Sequence, residues 1–88
     1  MNLTENQIEI IRHTIGLDRS SRSYRNRYIA SAGHHNFDDL ESLVKCGAME
    51  KYDGSGLFGK SSIYIATKSG ANAVLKKGEA LCSEDFPE

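Results

Sequence analysis

Isoleucines at positions 8, 11 and 15 recur at helical spacing near the start of the chain, so their side chains share one stripe. The preceding run Leu3-Thr4-Glu5-Asn6-Gln7 carries the residues of a capping box. Thr4 can accept from the backbone of Gln7 while Gln7 reaches back, and Leu3 and Ile8 stand at the two staple positions. Gly16 is a stop signal. The pattern predicts an amphipathic helix between Thr4 and Gly16.

Asp18 to Ser23 is polar and turn-like. Tyr24-Arg25-Asn26-Arg27-Tyr28-Ile29-Ala30 then alternates, with Tyr24, Asn26, Tyr28 and Ala30 on one face and Arg25, Arg27 and Ile29 on the other. That fits a short strand or the end of an extended arm, and Arg and Tyr also fit a short helix. Gly33 breaks the chain. Asn36 is placed to cap a helix whose first turn holds Asp38 and Asp39, where carboxylates complement the helix dipole. Phe37, Leu40, Leu43 and Val44 mark its buried face, and Gly47 ends it.

Met49 to Tyr52 reads as a strand, and Ser62-Ile63-Tyr64-Ile65-Ala66-Thr67 is β-branched and alternating. Two strands around a glycine-rich connection predict a hairpin. Thr67 caps a last helix through Ala71, Ala73, Val74 and Leu75 to Gly78. The acidic residues 79–88, with the single proline, are expected to form a flexible tail. Residues 1–78 then make a single α+β domain.

Composition narrows the function classes. A chain of 88 residues with 39% apolar and 26% charged side chains suits an ordered domain with one modest core, leaving little to enclose a substrate cavity. The N-terminal pattern is a capped helix rather than a basic patch followed by an apolar run. No apolar stretch approaches the roughly 20 residues of a membrane helix. A cytoplasmic location and no membrane partner are expected. Of the two cysteines, Cys46 is expected in the core and Cys82 exposed, both reduced.

The net charge of −1 hides an uneven distribution. Arg12, Arg19, Arg22, Arg25 and Arg27 face only Asp18 within residues 12–27. Asp38, Asp39, Glu41 and Glu50 outnumber Lys45 within residues 36–50. One face of such a chain can attract an anionic partner while another repels it.

The segment DGSGLFGKSS, residues 53–62, contains a full G-x-x-x-x-G-K-[ST] phosphate-loop pattern. A phosphate loop needs a buried strand before it and a helix after it, so that helix N–H groups surround the phosphates. Here a strand pattern follows Lys60-Ser61 and a short polar strand precedes it. The segment is expected to be a hairpin tip. Leu57 and Phe58 either fold back onto the core or project, flanked by Lys51 and Lys60, as a partner contact.

His34-His35, with Asp38, Asp39 and Cys46 downstream, lacks metal-ligand spacing such as CxxC or HxxxH, and a loop or capping role is expected. No local arrangement of nucleophile, base and orienting group emerges, so no catalytic residue, cofactor or metal is assigned and a non-enzymatic protein is expected. The stretch Arg19-Ser20-Ser21-Arg22-Ser23-Tyr24-Arg25-Asn26-Arg27-Tyr28 mixes arginines with hydroxyls and rings. It suits a protein interface, where Arg and Tyr are hot-spot types. It also suits phosphate contacts and base stacking, or arginines paired internally with Asp38, Asp39 and Glu41. Arg19, Arg22, Tyr24, Arg25 and Arg27 are the primary contact candidates, with Leu57, Phe58 and Lys60 as a second group.

The order of elements, with Leu43-Val44-Lys45-Cys46-Gly47-Ala48-Met49 ahead of the hairpin and Tyr64-Ile65-Ala66-Thr67-Lys68-Ser69-Gly70 opening the last helix, is similar to a winged-helix layout in which the glycine-rich loop is the wing. With Arg12-His13-Thr14-Ile15-Gly16-Leu17 and Tyr24-Arg25-Asn26, the chain resembles small phage and prophage proteins of largely unassigned role, over roughly residues 3–78. The resemblance implies a winged-helix-like domain of three helices and a hairpin. It implies an accessory protein that binds a host or phage protein or nucleoprotein complex in a bacterial host cell, including inhibitors of host defence systems. The alternative it implies is a DNA-binding transcriptional regulator. Two features depart from a DNA reader: the helix in the recognition position begins Asn36-Phe37-Asp38-Asp39-Leu40-Glu41, and no clear helix lies between residues 17 and 35.

Overall fold

Thr4 opens the first helix as its capping box requires. Its side chain accepts from the backbone N–H of Gln7 and its own N–H donates to the Gln7 side chain. In the computed structural model, which describes residues 2–30, 33–53, 62–83 and 86, helix α1 runs Glu5–Ile15. Gly16 ends it in the left-handed conformation, φ 91°, which glycine adopts without the Cβ penalty. Strand β1 (Tyr28–Ala30) follows, then α2 (Phe37–Lys45), β2 (Met49–Asp53), β3 (Ser62–Ala66) and α3 (Lys68–Ala73).

The three strands form one antiparallel sheet in the order β1-β3-β2. β2 and β3 pair from Met49↔Ala66 to Asp53↔Ser62, so the segment carrying the phosphate-loop pattern joins neighbouring antiparallel strands. The strand-to-helix exit that phosphate binding needs is replaced by a strand return.

Ile10, Ile11 and Ile15 of α1 meet Leu40 and Leu43 of α2, Met49, Tyr64 and Ala66 of the sheet, and Ala71 of α3 in one core. Thr14, buried on α1, satisfies its hydroxyl by donating to the Ile10 carbonyl at 2.6 Å. Tyr64 reaches through the core so that its hydroxyl donates to Glu41 at 2.7 Å. Burial and that bond push the Tyr64 hydroxyl well above the ordinary tyrosine range. Thr67 caps α3 by accepting from Gly70 N–H. Gly70 itself lies so close to the Ala48 backbone that a side chain there would overlap the Ala48 carbonyl.

Several expectations are corrected. Only the end of the alternating segment 24–30 pairs as strand. Asn36 occupies the N-cap of α2 without a capping bond; its amide donates to the Tyr28 hydroxyl and its oxygen accepts from Asn6. Helix α3 stops at Ala73 instead of continuing to Gly78, because the chain turns and Lys76 N–H is taken by Glu79. Cys46, expected in the core, is exposed at the α2 C-cap, and Cys82, expected exposed, is half-buried; both thiols are free.

The largest correction concerns residues 79–88, expected as a flexible tail. Glu79 is held by Arg12, Ala80 bridges Arg22, and Leu81 packs on the core. Phe86 is 6% exposed within the core, its N–H donating to the Cys82 carbonyl. Apolar Leu81 and Phe86 give the described part of this acidic stretch, residues 79–83 and 86, its hold on the core. No helix among the described residues is long and apolar enough to cross a membrane.

Candidate functional site

Between α1 and β1 the chain has almost no regular structure, yet its backbone is tied down on three sides. Toward α1, Tyr24 N–H donates to the Ile15 carbonyl and Arg27 N–H to the Thr14 carbonyl, both at 3.1 Å. Toward the C-terminal stretch, Ala80 N–H donates to Ser21, Ser23 N–H donates to Ala80, and Cys82 N–H donates to the Ser23 hydroxyl. Toward the sheet, the Asn26 amide brackets Ala66, donating to its carbonyl at 3.1 Å and accepting from its N–H at 2.7 Å. A polar connection would be free to sample many conformations. These bonds fix it.

What the anchored segment presents outward is Arg19, Ser20, Ser21, Arg22, Tyr24 and Arg27. Arg19, Arg22 and Arg27 are exposed and, among the described residues, their side chains make no hydrogen bond or ion pair. Tyr24 is 52% exposed. Its ring lies over Gly16, where an added Cβ would strike it, and the Arg25 guanidinium stands 5.3 Å from the ring centroid. Arg25 is the exception among the candidates. It donates to the His13 carbonyl through Nε and Nη2 and reaches Asp18 at 3.4 Å.

His13 is central to this face. Its Nδ1 lies 2.8 Å from Asp18, and its ring meets the edge of Tyr28 at 5.8 Å between centroids. Tyr28 in turn meets His34, which stacks on His35. His34 Nδ1 accepts from Asn36 N–H, a turn bond ahead of α2 that fits the loop half of the loop-or-capping role expected of the histidines; α2 has no side-chain cap bond. Burial pushes the Asp18 carboxyl up, but the His13 bond and the charges of His13 and Arg25 outweigh it and hold the carboxyl below its ordinary value.

The internal pairing of the arginines with α2 is not realised among the described residues. Asp39 accepts from Asn6 and Gln7. Glu41 accepts from Tyr64 and pairs with Lys51 at 3.0 Å, and these two partners hold its carboxyl below the usual range. The outer side of α2 therefore shows Asp38, Ser42 and Lys45, with the carboxylate in the first turn. Leu57, Phe58 and Lys60 lie outside the described residues. Among the described residues, no cluster of three or more His, Cys, Asp or Glu side chains has the geometry of a metal site.

Two features of the site had no local signal. Arg12 donates to both Glu79 carboxylate oxygens at 2.5 Å and to the carbonyls of Val74 and Leu17. That cluster ties α1 to the C-terminal stretch that clasps the arginine segment. His13 and Asp18 sit five residues apart across the helix end, a spacing that brings them together only through the turn at Gly16. The chain matches no protein-family model, no curated protein and no solved structure.

Proposed function

We propose that this protein is a non-enzymatic binding module that engages a macromolecular partner, foremost a protein, through the anchored arginine–tyrosine segment. The observation that carries this reading is the combination of exposed Arg19, Arg22 and Arg27, unpaired among the described residues, around exposed Tyr24 on a backbone held from three sides. Pre-ordering such a segment lowers the entropy lost on binding, and Arg and Tyr are the side chains that most often anchor interfaces.

The strand order β1-β3-β2 and a hairpin following α2 support a winged-helix-like reading. The place of a helix-turn-helix is taken by β1 and the turn before α2, and the first turn of α2 carries Asp38 and Asp39, whose charge opposes a phosphate backbone. These features favour a protein or nucleoprotein target over direct reading of duplex DNA. On the resemblance to small phage and prophage proteins, the module acts as an accessory factor in the bacterial host cytoplasm, with a component of a host defence system as its target.

Capture from bacterial host lysate at moderate salt tests this reading. Wild type is expected to retain a defined partner, and Arg22→Ala/Tyr24→Ala to lose most of it, because truncated anchors typically cost at least about 2 kcal/mol each. Lys76→Ala/Lys77→Ala, altering exposed charges elsewhere, is expected to retain it. Equal retention by the anchor variant would overturn the proposal. Binding to labelled duplex DNA that fades steeply with salt and is lost in the anchor variant would replace it with the regulator reading.

A further inference from the structure

Beside the anchored segment lies an open concavity of about 410 Å³ lined by His13, Arg25, Asn26 and Arg27. Asn26 is fixed in place there, since each end of its amide bonds Ala66, which leaves at most one Nδ2 N–H for a ligand. Arg25 is fixed by the His13 carbonyl and Asp18 through Nε and Nη2, which leaves Nη1. Arg27 is exposed and, among the described residues, unpaired. His13 turns Nδ1 to Asp18, so Nε2 is the ring nitrogen left for a ligand. The charged lining is thus two guanidinium groups, one of them pre-oriented, whose N–H groups can only donate.

Accepting on the proposed binding reading, we infer that this concavity seats a carboxylate side chain from an acidic segment of the protein partner. Two observations select that ligand among anions. Asp18 already shows that a carboxylate sits beside these groups: His13 Nδ1 lies 2.8 Å from one of its oxygens and Arg25 Nη2 reaches the other at 3.4 Å, the attraction of cation for carboxylate that a ligand would share. The basic surface is also short. The carboxylates Glu5, Glu9 and Asp18 line the neighbouring concavity that shares His13 with it. An extended polyanion such as a nucleic-acid strand must cross those charges, whereas a short acidic segment ends before them.

The test is a titration of the 15N-labelled protein, followed by amide shifts, with a hexaglutamate peptide, a short DNA duplex and inorganic phosphate, each at equal charge concentration and low salt. Hexaglutamate is expected to shift His13, Arg25, Asn26 and Arg27. Arg27→Gln, which removes a charge from an exposed position and keeps the fold, is expected to weaken the peptide about tenfold, and Arg27→Lys to recover part of the loss. Silence at these four residues, an unchanged affinity in Arg27→Gln, or tighter occupation of the same residues by phosphate or duplex would overturn the inference. Partner capture that depends on Arg22 and Tyr24 beside a silent titration would sink this inference alone. Capture indifferent to the anchors would sink the binding reading with it.

Discussion

Gly70→Ala lowers the unfolding free energy by about 2 kcal/mol, although alanine is the better helix former. In an open helix interior the exchange would stabilise by about 1 kcal/mol. Here an added Cβ meets the oxygen, carbon and Cα of Ala48, all backbone, so no side chain can swing away. The Ala48 carbonyl also accepts from Thr67 N–H at 3.0 Å, and Thr67 is locked in turn by donating to the Gly47 carbonyl at 2.7 Å and by capping α3. Relief therefore requires moving α3 off the sheet, at the upper end of the roughly 1–3 kcal/mol that overpacking costs. Urea unfolding reads the result as a lower midpoint at unchanged slope. An unchanged or higher midpoint would show that the α3–Ala48 approach is looser than described.

Arg12→Ala is the second large effect, and it reaches the site as well as the fold. The side chain is 12% exposed and joins four acceptors: two oxygens of Glu79, the Val74 carbonyl and the Leu17 carbonyl. The two carbonyl bonds alone contribute about 1 kcal/mol each, which for a domain of this size lowers Tm by about 10 °C. Loss of the ion pair adds to this and releases the C-terminal stretch that holds Ser21 and Ser23, so partner capture weakens even though no contact residue has changed.

The pair also carries a pH signature. The Arg12 bond above all, opposed by burial and aided by Lys76 N–H, holds the Glu79 carboxyl down at about 2, against an ordinary value of 4.5. A depressed folded-state value stabilises fully above the unfolded value, and that contribution fades as pH falls from 4.5 through about 2. Thermal melts across this window are expected to fall more steeply for wild type than for Glu79→Gln. Asp18 and Glu41, also depressed, contribute equally to both and cancel in the comparison. Parallel curves would remove Glu79 from the account.

Helix α1 was legible because everything that sets it is local: Thr4, Gln7, the isoleucine stripe and Gly16 lie within a few turns. The hairpin was legible for the same reason, since alternation at 62–67 and the glycines before it specify a strand and a return. The phosphate-loop pattern could be judged from its flanks alone. The arginine segment was visible as composition, but its rigidity was not. That depends on Asn26 reaching Ala66, forty residues away, and on residues 80–82 closing over Ser21 and Ser23. The acidic 79–88 stretch read as a tail because its charge is obvious and its two useful apolar residues, Leu81 and Phe86, have no period. Glu79 looked like one more solvated carboxylate until the fold set it against Arg12. Asn36 had the right residue type at the right place for a cap and was used instead to join α1, β1 and α2. Local rules cannot see which of two competing bonds the tertiary structure will favour.

The central claim is that exposed arginines of the segment 19–27 form the partner-binding surface, and arginine-selective labelling read by mass spectrometry tests it most directly. In the free protein Arg19, Arg22 and Arg27 are expected to react readily, and Arg12, enclosed by its acceptors, to react slowly. In the complex captured from lysate, Arg22 and Arg27 are expected to become protected by about tenfold, as groups desolvated at an interface centre should be. Unchanged reactivity at Arg19, Arg22 and Arg27 in a complex that protects another face would contradict the account.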